Sequence, residues 1–242
     1  MAKTHPHLTP DAIAFARSLV IYEDRHLIAF NKPSGLAVQG GSGVTQSLEH
    51  LLGAFAKSNG KTPRLVHRLD RETSGVIIAA RTKPAAAFFS QAFAAHAAEK
   101  IYLAVTCGAP TPSAGQIDAS LRKVSRNGLD IMEISADGQS ARTQYRTLTA
   151  ANGAALVELR PETGRMHQLR AHLAHIGAPI AGDGKYGGLY RLGAVEIPTL
   201  LLHALRLDAP HPEAGRIALE APPPKEFLAA ARSLGLETAL TP

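Results

Sequence analysis

The chain has 242 residues, 45% of them hydrophobic and 19% charged, a globular balance that excludes wholesale disorder. Its one cysteine, Cys107, excludes an internal disulfide framework and a cysteine-rich zinc module, and fits a reducing compartment such as the cytoplasm. Twenty-six Lys and Arg against 20 Asp and Glu give a formal charge of +6, which suits a polyanionic partner without locating a patch. No run of about 18 apolar residues is present, so no membrane helix is expected. The opening residues carry no continuous apolar segment of a secretory signal.

Thr9-Pro10-Asp11 followed by AIAFARSL reads as a short capped helix. Leu19–Tyr22 and His26–Asn31 read as strands around a turn at Glu23-Asp24-Arg25. Lys32-Pro33-Ser34-Gly35 and Gly40-Gly41-Ser42-Gly43 read as a flexible connection of turn residues that could touch an RNA backbone; they are no phosphate-cradling loop, because no Lys-Ser/Thr pair closes them in P-loop spacing. A helix is expected over Thr45–Lys57, with Leu48, Leu51, Leu52 and Phe55 on one face. Arg64–His67 and Val76–Ala80 are apolar, strand-like runs, and Pro84 opens a helix to about Ala98. Ile101–Cys107 is a strand. Gly115–Arg160 reads as several strands with turns at Arg126-Asn127-Gly128, Asp137-Gly138 and Asn152-Gly153. A helix from about Arg165 to Ile176 presents Met166, Leu169, Leu173 and Ile176 as an apolar stripe. Gly182–Pro198 is loop-rich, Thr199–Leu207 strand-like, and Glu226–Leu234 a last helix. Hairpin strands interrupted by a few helices indicate an α+β fold with a mostly antiparallel sheet.

Four clusters could carry chemistry. In His67-Arg68-Leu69-Asp70-Arg71-Glu72-Thr73-Ser74-Gly75, arginines at 68 and 71 could keep Asp70 ionised as a nucleophile or base. Asp and Thr in such a loop equally serve as turn residues. Gly164–His175 is rich in histidine, but its spacings lack the i, i+4 pair of a metalloprotease helix and it contains no carboxylate, so no metal is expected. There Arg170 reads as a surface ion-pair residue and His172 as a satisfied helix-face histidine. Tyr102 in KIYLAV and His203 in LLHALRL read as core positions taken alone.

Taken together and in this order, HRLDRETSG, KIYLAV, GRMHQLRAHLAHIGAPIAGDGKYG and LLHALRL resemble the RluA family of pseudouridine synthases. The likeness runs from about Val20 to Leu207 and includes the opening VIYEDRHLIAFNKPSGLAVQGGSG. It implies a mostly antiparallel mixed sheet with flanking helices and a central active-site cleft. It implies an isomerase that converts a uridine of ribosomal or transfer RNA to pseudouridine, without cofactor or metal. Asp70 matches the family's catalytic aspartate, which attacks C1′, adds to C6, or removes the C2′ proton. Tyr102 matches the tyrosine that packs on the uracil, and Arg170 the basic residue that pairs with the aspartate. Arg68 matches the residue that occupies the gap left by the flipped nucleotide, and Leu202 an apolar position of the base pocket. Many relatives carry an N-terminal S4 RNA-binding domain. Here the expectation is a helical extension over residues 1–19 and a catalytic domain over 20–242, monomeric and cytoplasmic. An idle RNA-binding module for ribosome assembly would not need Asp70, Tyr102 and Arg170 together. A glycosidase would need a second carboxylate, for which only Glu72 is near.

Overall fold

The computed structural model describes residues 8–41, 46–126 and 128–237. Ser42, Gly43, Thr45 and Asn127, which figured in expected turns and in the start of a helix, lie outside the described residues. The chain divides into two compact units: Met1–Ala98 with Arg206–Pro222, and Glu99–Leu205 with Pro223–Pro242.

In the first unit, α1 (Pro10–Ser18) starts where expected. The Thr9 hydroxyl accepts the Ala12 N–H, and proline occupies the first turn, where its missing donor costs nothing. β1 (Val20–Glu23) and β2 (Leu27–Lys32) form an antiparallel hairpin. Its turn is fixed by the Asp24 carboxylate, which accepts the N–H groups of His26 and Leu27 at 2.7 and 2.8 Å. The helix expected over 45–57 is shorter: α2 (Leu48–Leu51), capped by Ser47, passes into a 3-10 turn over Leu52–Phe55. Gly53 is a poor helix former, and the tighter turn still buries Leu48, Leu51, Leu52 and Phe55.

β3 stops after Arg64–Leu65 because the His67 ring nitrogen, rather than a backbone carbonyl, accepts the next N–H on the facing strand, that of Ile78. That strand, β4 (Ser74–Ala80), is buried along its whole length and pairs antiparallel with β2 and β3. α3 (Lys83–Ala94) ends earlier than Ala98, since His96 turns left-handed at φ 55°. Residues 206–211 of β13 (Leu202–His211) pair antiparallel with β14 (Gly215–Glu220). Leu27, Ala29, Val76, Ile78, Phe89 and Leu207 share the unit's core.

The second unit is built on antiparallel neighbours in the order β5 (Glu99–Cys107), β10 (Ala154–Pro161), β9 (Arg142–Ala151) and β6 (Ala114–Asp118). The β9–β10 turn falls on Asn152-Gly153, both at positive φ, as a two-residue hairpin of that sequence requires. Alternate residues of β5 and β10 face two cores. Val105 and Leu156 pack with Leu201 and Phe227, while Ala104, Val157 and Leu159 pack with Leu169 and Leu173. Two further hairpins, β7 (Leu121–Arg126) with β8 (Leu129–Ile134) and β11 (Arg191–Leu192) with β12 (Val195–Glu196), stand as separate ribbons. α5 (Lys225–Ser233) buries Phe227, Ala230 and Ala231.

α4 runs over Gln168–His175, not Arg165–Ile176. His167 sits left-handed at φ 50°, so the preceding residues cannot be helical. The helix also lacks a one-sided stripe: Gln168, Leu169, Arg170, Ala171, His172 and Leu173 are all buried. The class remains α+β. Among the described residues, no helix is long and apolar enough to cross a membrane.

Candidate active site

Asp70 lies in the first unit, on the loop between β3 and β4, with its side chain half-buried. Leu69 points inward at 6% exposure while Arg68 is exposed, as alternation along an extended segment dictates. The loop is held at both ends. The His67 ring stacks on Phe93 at 4.4 Å while its Nε2 accepts the Ile78 N–H at 3.0 Å, which makes His67 an anchor. Beyond Asp70, the Thr73 N–H returns to the Asp70 carbonyl at 3.2 Å.

A second segment grips this loop from the side, and it is the stretch whose sequence reads as a flexible connection. Gly35 N–H donates to the Arg71 carbonyl at 2.9 Å, Arg71 Nε donates to the Gly35 carbonyl at 3.0 Å, and Ser34 Oγ donates to the Glu72 carbonyl at 2.7 Å. At its base Lys32 is fully buried and donates from Nζ to the carbonyls of Leu36 at 2.8 Å and of Pro33 and Arg71 at 3.0 Å. Burial pushes the Lys32 ammonium down to about 7, against the pull of the Glu72 and Asp70 carboxylates. The flexible-connection reading is therefore corrected: Lys32-Pro33-Ser34-Gly35 is a clamp on the Asp70 loop. The one sequence sign of it is a lysine separated only by Asn31 from the buried run LIAF.

Tyr102, Leu202 and Arg170 lie in the second unit. Tyr102 on β5 packs against the apolar cluster that contains Leu202, Leu159 and Leu169. Arg170, on α4 beside Leu169, is not the surface residue its position suggests. It is 3% exposed, and its Nε and Nη2 grip both carboxylate oxygens of Asp183 at 2.7 and 2.8 Å. Its guanidinium also lies over the Tyr186 ring, 5.2 Å from the centroid. Such a two-pronged bond fixes the plane of the arginine as well as its charge.

Asp183 is a residue the sequence reading missed. Its loop depends on two glycines: a Cβ at Gly182 would fall 2.1 Å from the Thr199 carbonyl oxygen, and one at Gly188 would fall 1.8 Å from that of Ile180. The run GDGKYGG is the signal that could have marked a tightly built turn around a carboxylate.

The histidine-rich stretch proves to be a polar network. Gln168 Nε2 donates to the Arg142 carbonyl at 2.8 Å and to Thr143 Oγ1 at 3.0 Å, while its Oε1 accepts from Thr163 Oγ1 and from the Arg165 N–H. The Ala119 carbonyl can only accept, so His172 Nε2, 2.9 Å away, carries the proton. Nδ1 then accepts from the Thr143 hydroxyl at 3.0 Å. Burial, with the nearby His175, holds the His172 pKa below its usual value against the pull of the Ala119 carbonyl and Asp118. His172 is thus the satisfied histidine expected, and the network secures the loop that precedes Arg170.

A family model described as RNA pseudouridylate synthase matches residues 26–175. The chain is 43% identical over 170 residues to ribosomal large subunit pseudouridine synthase C of Rickettsia bellii, covering 69% of this chain and 56% of that protein. It is 38% identical over 219 residues to the mitochondrial pseudouridylate synthase RPUSD4 of Xenopus tropicalis, covering 80% of this chain and 68% of the relative. The solved structure of human RNA Pseudouridylate Synthase Domain Containing 4 superposes with a TM-score of 0.80 at 30% identity, covering 93% of this chain and 97% of that one. The chain belongs to the RNA pseudouridylate synthase family.

Proposed function

We propose that the protein isomerises a uridine of RNA to pseudouridine. The reaction breaks the N1–C1′ bond, turns the uracil, and joins C5 to C1′; C5 loses a proton and N1 gains one. Atoms and electrons balance within the nucleotide, so the reaction consumes no oxidant, reductant or group donor. The observation that carries this reading is Asp70 on a loop clamped by Lys32, Ser34 and Arg71, in a chain of this family. Asp70 is the catalytic residue. Tyr102 and Leu202 offer an apolar wall for the uracil, consistent with their shared cluster. Arg170, oriented by Asp183, supplies positive charge, and exposed Arg68 fills the space of the flipped base, whose extrusion costs a few kcal/mol.

Relatives named for the large ribosomal subunit favour ribosomal RNA as the substrate. The lone cysteine fits a reducing compartment, and the cytoplasm is the one proposed. Tritium release from RNA carrying 5-tritiated uridine tests the reading: wild type releases tritium, and Asp70→Asn, which keeps the shape but not the charge, releases none. Release by Asp70→Asn within a few-fold of wild type would overturn the assignment.

A further inference from the structure

At the opposite end of β4 from Asp70, the first unit holds a concave surface that the proposed reaction does not use. A cavity of about 620 Å³ there is lined by Lys57, Lys61, Arg64, Arg81 and Lys83, with no carboxylate among the lining residues. Arg81 is engaged by Glu23. Lys57, Lys61, Arg64 and Lys83 are exposed and make no ion pair or side-chain hydrogen bond among the described residues.

The placement of these charges runs against local stability. Lys83 is the first residue of α3, and no acidic residue stands in that first turn, although the positive end of a helix dipole favours carboxylates there and disfavours cations. Lys57 and Lys61 are set by a closed turn, in which Lys57 N–H donates to the Lys61 carbonyl and Gly60 N–H to that of Lys57. Arg64 is fixed at the same end of the strand by its pairing with Ala80. Four cations and a helix N-terminus therefore converge on one hollow, and among the described residues no carboxylate lines it. A strand of seven residues from Ser74 to Ala80 spans about 20 Å, so the hollow is well removed from the Asp70 loop. RNA long enough to reach both would meet it, and each phosphate neutralised would release counterions.

Resting on the synthase reading, we propose that Lys57, Lys61, Arg64 and Lys83 form a second RNA contact, a groove that binds the phosphodiester backbone beyond the target uridine. The contact raises affinity and takes no part in the chemistry.

The test compares wild type with Lys57→Gln/Lys61→Gln/Lys83→Gln, all surface changes, by anisotropy of a fluorescein-labelled 24-nucleotide oligouridylate over a range of salt. Losing three phosphate contacts to a single strand should lower the slope of log K against log salt by about 2, with affinity at least tenfold weaker at low salt. With a transcript that wild type modifies, KM should rise while turnover at saturating RNA stays within twofold. Equal affinity and slope for the two proteins would overturn the groove, and so would a loss of turnover at saturating RNA. Failure of wild type itself to bind or modify RNA would instead overturn the synthase reading.

Discussion

Replacing Lys32 by Met removes three N–H donors from the base of the Asp70 loop while keeping an unbranched stem in the core. The Arg71 carbonyl retains the Gly35 N–H, whereas those of Pro33 and Leu36 lose their bond to Nζ. Two carbonyls stripped of a donor cost about 1–3 kcal/mol each. Relief of the ammonium's own burial brings the total to the lower part of that range, about 2–4 kcal/mol. Urea unfolding at pH 6 should show the loss directly. Turnover measured by tritium release should fall about tenfold, the equivalent of 1.4 kcal/mol, because Arg71 adjoins Asp70.

The pH dependence gives the sharper check. Lys32 releases its proton at about 7 in the folded chain but only near 10.4 once unfolded. Between those values the unfolded chain holds the extra proton, so wild-type stability rises with pH, by at most about 1.4 kcal/mol per unit. Met does not titrate. The gap between wild type and Lys32→Met should therefore widen from pH 7 to pH 9. An unchanged unfolding midpoint with unchanged turnover, or a gap that narrows with pH, would refute the clamp.

What could be read in the sequence is what neighbours along the chain decide. Thr9-Pro10 caps α1 through a bond three residues long, Asn152-Gly153 closes its hairpin, and alternation on β5 sorts Val105 from Ala104. The order of four short motifs carries the family resemblance, which the match over residues 26–175 bears out, because those stretches keep their residue types side by side. What could not be read depends on residues that are distant in sequence and lie together only once folded. Lys32 meets Arg71 across 39 positions, and Arg170 meets Asp183 across a loop that folds only because Gly182 and Gly188 admit backbone where a side chain would collide. The start of α4 is hidden from the sequence for a related reason. Nothing in Arg165-Met166-His167 forbids a helix, and His167 holds its left-handed backbone while its Nδ1 meets the Tyr186 hydroxyl at 2.9 Å.

Two further predictions concern the second unit. His172, whose folded pKa is depressed, stays neutral while the unfolded chain takes up a proton, so its contribution is present above about pH 6.5 and is lost as pH falls. His172→Gln, which can still donate to Ala119 but cannot titrate, should flatten the pH dependence of unfolding free energy between pH 7 and 5, and an unchanged dependence would show that His172 does not report there. Asp183→Asn should destabilise the protein by about 3–5 kcal/mol, the cost of stranding one member of a buried pair, here Arg170 with both side chains at or below 4% exposure. The amide offers one oxygen where the guanidinium fork needs two, and it turns an N–H toward an N–H. Removing both charges at once, in Arg170→Met/Asp183→Leu, leaves no buried charge of this pair without its partner, so stability should return toward wild type. Tritium release should not return with it, because the positive charge assigned to the site is gone. A double variant as active as wild type would remove Arg170 from the chemistry. One as unstable as Asp183→Asn would show that the pair's geometry, rather than its charge balance, holds the loop.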